Sequence, residues 1–214
     1  IKTGNGLRSE TRTYWHSPLG PVIHRTPKKI FIIKSSAYSQ FRLFEQWLRQ
    51  TQANNLEEFK AALAMQHAIM YNIAYADSDG NIFYIWNGRV PVIPHDTAGR
   101  LSVYASTTAD IWTRIYEMDE LPQFLNPKGG YVMNSNSSPY LTNLHQPLNR
   151  DDFPPYFPRN TISLRTQHNL LLMHNDNKFS LEDIVTTKHS NRVLLADRVK
   201  NDLVFASRRR GGVA

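Results

Sequence analysis

The stretch YNIAYADSDGNIFYIWNGRVP, residues 71–91, restricts what this chain can fold into more than any other. Apolar residues flank Asp77, Ser78, Asp79, Gly80 and Asn81, and flank Asn87 and Gly88 again. Asn and Gly accept the positive φ that tight hairpin turns need, so two such turns are expected. Antiparallel strands follow, the first pair at 71–76 and 81–86, joined at Asp79 and Gly80. Asp77, Asp79 and Asn81 also imitate the opening of a calcium loop. The glycine sits too early for that loop, however, and no acidic residue closes it, so a turn is the expectation.

The chain has 214 residues, 41% of them hydrophobic, enough for a sizeable core and too apolar for disorder. No apolar run approaches bilayer length, and no charged-then-apolar leader opens the sequence. The absence of cysteine excludes disulfides, thiolate catalysis and cysteine-ligated zinc. A formal charge of +7 suggests a polyanionic partner only where basic residues cluster. They do so only at Lys28 and Lys29 and at Arg208, Arg209 and Arg210, so solvated surface is expected. The chain opens on Ile1 and closes on RRRGGVA, which reads as a fragment, a single partial domain over 1–214.

Upstream of the hairpin block, residues 7–14 and 20–33 carry alternating or continuous apolar residues, including Val22, Ile23, Ile30, Phe31, Ile32 and Ile33, broken by Gly20, Pro21 and Pro27. These read as strands joined by turns. Phe41, Phe44 and Leu48 then fall at i, i+3 and i+7, an apolar stripe for a helix within 37–50, with Arg42, Glu45 and Arg49 pointing elsewhere. Asn55 with Glu58 makes a capping-box-like start for a second helix, whose stripe is Leu56, Phe59 and Leu63. Residues 93–125, with His95, Asp96, Trp112, Asp119 and Glu120, read as a long loop of the wall or lid kind. Residues 140–161, with Pro147, Pro154, Pro155 and Pro158, read as a wrapped loop, in which Asp151 and Asp152 offer carboxylates suited to calcium. A short helix is expected from near Arg165, carrying Leu164, His168, Leu171 and Leu172. Ser180 and Asp183 open another in which Leu181, Ile184 and Val185 are buried, and Leu195, Val199 and Leu203 stripe a third.

The segment NPKGGYVMNSNSSP, 126–139, sets Asn134 and Asn136 among small residues where donors can converge, although the same residues also make ordinary turns. Its order carries more than its composition. Gly130, Tyr131, Val132, Met133, Asn134, Asn136, Ser138 and Pro139 fall without a gap on the run through the oxyanion-hole asparagine of the penicillin amidase family, which this segment resembles. A second gapless likeness to that family is carried by Asn72, Tyr75, Ala76, Asp77, Gly80, Asn81, Ile82 and Tyr84. TRTYWHSPLGPVI is similar to the family's strand pair, with Ser17, Pro18 and Leu19 intervening between His16 and Gly20. QANNLEEFKAAL and FSLEDIVTTKHSNRVLLADRV resemble helices of the same enzymes. By eye the resemblance runs from about residue 11 to about residue 206.

This resemblance implies an α+β fold, part of the αββα sandwich of an N-terminal-nucleophile hydrolase, with antiparallel sheets. It implies an amide hydrolase whose serine lies upstream of Ile1, at the start of the mature β-chain, with its own α-amine taking the proton. The implied partners are the remainder of the same acylase, namely the α-chain and the N-terminal part of the β-chain, and a small acylated amide, with no nucleic acid and no membrane. Asn136 takes the place of the oxyanion donor and Arg165 that of an arginine beside the catalytic centre, whose permanent charge and fixed fork of donors would hold Asn136 and the amine in place. Tyr71 takes the place of an acyl-pocket wall, with Asn72 next to it as a second substrate-binding residue. Core packing is the other reading of Tyr71, and a surface charge the other reading of Arg165. His16 beside Trp15 reads as structural, since this enzyme class needs no histidine base. No cofactor is certain; a structural calcium in the complete enzyme and a periplasmic or secreted location are further implications, and no metal ligand is assigned.

An amide donor at Asn136 would stabilise the charge that develops on a carbonyl oxygen under attack, by up to roughly 3–4 kcal/mol in comparable sites. An ionised aspartate there would repel it. The implied reaction passes through an acyl-enzyme, with the amine leaving first and water releasing the acid. Whether the parent substrate is an acylated β-lactam, an acyl-homoserine lactone or a lipopeptide is not chosen by these residues. A competing class is a basic binding module in which Tyr71, Tyr75, Tyr84 and the arginines stack on bases, although no nucleic-acid motif accompanies them. A third is a purely structural fragment.

Overall fold

The computed structural model describes residues 1–4, 6–93, 102–105, 107–173 and 178–210. Their contacts gather into two units, Ile1–Met70 with Gly88–Met118, and Tyr71–Asn87 with Asp119–Ala214.

In the first unit β1 (Lys2–Thr3) and β2 (Gly6–Leu7) form a short antiparallel ribbon. β3 (His16–Ser17), β4 (Gly20–Arg25) and β5 (Ile30–Ile32) form a three-stranded antiparallel sheet in that order. Gly20 has φ +138 and an added Cβ would lie 2.2 Å from the Ile33 carbonyl oxygen, so no larger residue fits. The turn after β4 is closed by Thr26, whose Oγ1 accepts from Lys29 N at 2.9 Å. The strand expected over 7–14 ends at Leu7, because RSETRT supplies no apolar face to bury and its residues stay exposed.

Both expected helices of this unit form, as α1 (Leu43–Gln52) and α2 (Leu56–Leu63). α1 starts later than its stripe suggests, since Ser39 has φ 66 and breaks the chain before it. Its burial also departs from expectation. Phe41 is 84% exposed, Phe44 78% and Leu48 55%, while Gln46 is fully buried, its Oε1 accepting from His67 N at 2.8 Å. A buried side-chain carbonyl that satisfies a main-chain N–H beyond α2 fixes the helix on its polar side. α2 behaves as expected: Asn55 Oδ1 accepts from Glu58 N at 2.9 Å, and Leu56, Ala62 and Leu63 are buried.

The second hairpin expected at Asn87 and Gly88 does not form. Residues beyond Gly88 pair instead with 114–116, through an antiparallel bridge of Pro91 with Ile115 and bonds from Val92 N to the Arg114 carbonyl and from Tyr116 N to the Val90 carbonyl, both 2.9 Å. Gly88 is required by close approach rather than by a turn, since a Cβ there would lie 2.4 Å from the Ile69 carbonyl oxygen. His95 and Asp96 lie outside the described residues.

In the second unit β6 (Tyr71–Ala76) and β7 (Ile82–Asn87) pair from Tyr71↔Asn87 to Ala76↔Ile82, within a residue of expectation. Asp77 builds the turn: Oδ1 accepts from Asn81 N and Oδ2 from Asn81 Nδ2, both at 2.9 Å, while Gly80 takes φ +86. The expected loop 93–125 contains a strand at its end, β8 (Gln123–Leu125), which pairs with β7 through Phe83↔Leu125, Tyr84↔Phe124 and Ile85↔Gln123. Three residues are too few to show a period, which hid this strand. As the central strand, β7 buries Phe83, Tyr84, Ile85 and Trp86, hence its unbroken apolar run.

The polar, proline-rich segment 140–161 is more than surface wrapping. Tyr140, Thr142, Asn143 and Phe157 are buried, and the Phe157 ring lies 5.1 Å from Trp86 and 6.0 Å from Phe153. The expected helices follow as α3 (Leu164–Met173), α4 (Leu181–Lys188) and α5 (Leu194–Arg210). α3 and α5 are joined by a bond from Arg198 Nη2 to Gln167 Oε1 at 2.8 Å. The burial expected of the last two helices is not seen: Leu181 is 74% exposed, Ile184 and Val185 are exposed, and so are Leu195 and Leu203, while α5 buries Leu194 instead. Their apolar faces stay open because within the described chain nothing covers them.

Candidate active site

The loop 126–139 hangs from the end of β8 and is fastened at both ends. Asn126, at φ 47, accepts on Oδ1 from Ile82 N at 2.8 Å, while its own N donates to the Ile82 carbonyl at 2.7 Å. Gly129 and Gly130 both take positive φ, and an added Cβ on Gly129 would meet the His145 ring at 2.4 Å. The fully buried Asn143 then binds the loop from behind, donating through Nδ2 to the carbonyls of Lys128 at 2.8 Å and Tyr131 at 2.7 Å. A buried amide with several partners of this kind fixes a segment that lacks regular secondary structure.

The two asparagines of the motif behave differently. Asn134 uses both ends of its amide locally: Oδ1 accepts from Ser137 N and Nδ2 donates to the Ser137 carbonyl, both at 3.2 Å, with a longer 3.4 Å bond to the Tyr84 hydroxyl. Asn136 stands at φ 57 on an exposed turn, and its Oδ1 accepts from Arg165 Nη2 at 2.9 Å. Arginine has only donors, so the oxygen of Asn136 must face it and the Nδ2 group faces away. Arg165 Nη2 also donates to the Ser135 carbonyl. One turn further along α3, Asn169 Nδ2 donates to Ser135 Oγ at 2.6 Å. The first turns of α3 therefore grip residues 135 and 136 from one side.

Asn72 joins this assembly indirectly. Its Oδ1 accepts from the Tyr84 hydroxyl at 2.6 Å, and that hydroxyl in turn accepts from Asn134. Burial pushes the Tyr84 hydroxyl pKa well up, so it stays a neutral donor. Tyr71 is not brought to the same place: neighbours along a strand point to opposite faces, so Tyr71 and Asn72 look away from each other across β6. Tyr71 is 45% exposed, which places it outside the core. The buried Tyr84 is unavailable to stack on a base, which removes one ring from the binding platform that the aromatic residues suggested. Ser138 is buried and its Oγ donates to Asn160 Oδ1 at 3.4 Å, an amide and not a base. Asp152 Oδ1 accepts from Asn149 Nδ2 at 3.1 Å, and among the described residues no three His, Asp, Glu or Cys side chains gather as metal ligands. Asn143, Ser135 and Asn169 escaped the sequence reading; the only signal for Asn169 is its i+4 spacing from Arg165.

Comparison with known proteins decides the affiliation. A profile of the penicillin amidase family matches residues 1–213. The chain belongs to the penicillin amidase family. A curated relative, the penicillin G acylase of Escherichia coli, is 29% identical over 147 residues, which is 65% of this chain and 16% of the relative. Among solved structures, the thermostable penicillin G acylase of Alcaligenes faecalis in its orthorhombic form superposes with a TM-score of 0.61 at 24% identity, over 83% of this chain and 31% of the other. This chain thus spans about a sixth of the curated relative and about a third of the solved one. The likeness shows the fold class expected of this family member, α+β with antiparallel sheets. Among the described residues, no helix is long and apolar enough to cross a membrane.

Proposed function

We propose that this chain contributes the oxyanion donor of an amide-hydrolysing acylase, with Asn136 Nδ2 as the donor and Arg165 as the residue that aims it. The observation that carries the reading is the 2.9 Å bond from Arg165 Nη2 to Asn136 Oδ1. It occupies the wrong end of the amide for catalysis and leaves the useful end turned outward. Such a donor acts on charge that exists only after attack, so its contribution falls on kcat rather than on ground-state binding. The guanidinium adds a permanent positive charge beside it. In this reading the nucleophilic serine and its α-amine are supplied by the rest of the acylase, as is the α-chain, and the substrate is a small acylated amide. Tyr71 is read as a wall of the acyl slot, and Asn72 as a support that reaches the loop through Tyr84. The names of the relatives make penicillin G the first substrate to assay, and a periplasmic or secreted parent is part of the same reading.

The test is Asn136→Ala in the intact parent protein. The expected result is a kcat lowered by about 10²–10³ with KM comparatively intact. A normal kcat removes the proposal.

A further inference from the structure

We infer that Asn169 is a positioning residue for Asn136, acting at one remove through Ser135; the inference rests on the oxyanion reading above. Ser135 directly precedes Asn136 in the chain and is buried. Its carbonyl and its hydroxyl are both held by α3, the carbonyl by Arg165 Nη2 and the hydroxyl by Asn169 Nδ2 at 2.6 Å. Arg165 and Asn169 stand four residues apart, which puts them one above the other on a single helix face.

Arg165 alone is a divided anchor. Its Nη2 serves the Ser135 carbonyl and Asn136 Oδ1 together, and its side chain is long and exposed. Asn136 is itself exposed, on left-handed backbone, so the direction of its Nδ2 follows the setting of the preceding peptide. The Asn169 bond fixes that setting independently: it is short, involves a buried hydroxyl and comes from the middle of a helix. An oxyanion donor acts only when it stays within hydrogen-bond reach of the developing charge, so loosening the peptide before it costs rate without costing substrate binding.

The experiment is a mutant cycle in the intact parent protein, read as kcat and KM on the acyl amide it turns over fastest, with penicillin G first in the screen. Asn169→Leu keeps the shape and removes the donor; Ser135→Ala removes the acceptor. Each is expected to lower kcat about 10-fold with KM changed by less than about twofold, and the double variant to be no worse than the poorer single one. In an Asn136→Ala background, Asn169→Leu is expected to change kcat by less than about twofold, since no donor is left to aim. A purely structural role predicts the opposite, the same loss in both backgrounds. That outcome, a wild-type kcat for folded Asn169→Leu, or a loss confined to KM, overturns the inference. Should Asn169→Leu fail to fold, Ser135→Ala deletes a single atom from the same bond and decides alone. A normal kcat for Asn136→Ala is a separate result and sinks the oxyanion reading itself.

Discussion

Two asparagines two positions apart do different work because their amides are spent differently. Asn134 commits oxygen and nitrogen to Ser137 and adds the Tyr84 hydroxyl, so it holds a turn together. Among the described residues Asn136 commits only its oxygen, to Arg165. Asn134→Ala is therefore expected to cost on the order of 1 kcal/mol of stability and to lower kcat far less than Asn136→Ala does. Chemical denaturation alongside steady-state kinetics on the intact parent separates the two, and a kcat loss at Asn134 equal to that at Asn136 contradicts the division. The resemblance pairs Asn136 with Arg165 and has the guanidinium hold the asparagine, but it does not say which end of the amide is taken, because nothing local records that for an arginine from a later helix. Asn169 is less legible still: a lone asparagine within a helix is unremarkable until the fold sets it against Ser135.

At the scale of elements, start signals survive folding better than burial patterns do. The capping box of α4 is present as read: Ser180 Oγ accepts from Asp183 N at 3.1 Å, and Ser180 N donates to Asp183 Oδ2 at 2.9 Å. The Ser180 main-chain N–H, followed by the Ser180 hydroxyl, holds the Asp183 carboxyl below its usual range. A carboxyl depressed in the folded state stabilises that state at pH above its unfolded value, and the contribution fades as pH falls through the lower folded value. An NMR titration should show the Asp183 carboxyl protonating below the ordinary aspartate range, and Ser180→Ala should move it upward; an unchanged midpoint in Ser180→Ala contradicts the assignment. Caps and tight turns are written in a few adjacent residues, and so the β6–β7 turn and the starts of α2 and α4 are readable directly. Burial depends on what arrives from elsewhere, and so the stripe of Phe41, Phe44 and Leu48 reads as core yet lies open. Gly88 fails for the same reason: its need is set by the Ile69 carbonyl, a long way back in sequence, and not by its neighbours.

For the molecule as a whole, α1, α4 and α5 carry exposed apolar residues, and the chain spans about a sixth of the curated relative's length. On the proposed reading, which places the nucleophilic serine in the rest of the acylase, the purified 214-residue chain is expected not to hydrolyse amides. Saturable turnover with burst kinetics from that chain would overturn this expectation, and Ser138 would be the first serine to replace. The hairpin β6–β7 carries a further consequence for anyone who cuts the gene. The chain leaves the first unit after Met70, returns to it at Gly88 and leaves again after Met118, so neither unit is a continuous run of codons. A segment expressed from residue 119 onward would keep β8 and lose β7, which among the described residues is the only strand that β8 pairs with, leaving an open edge where the loop bearing Asn136 begins. Truncation libraries of this region should therefore give no soluble piece that starts between β7 and β8, whereas a splice joining Asn87 directly to Asp119 keeps every strand of that sheet.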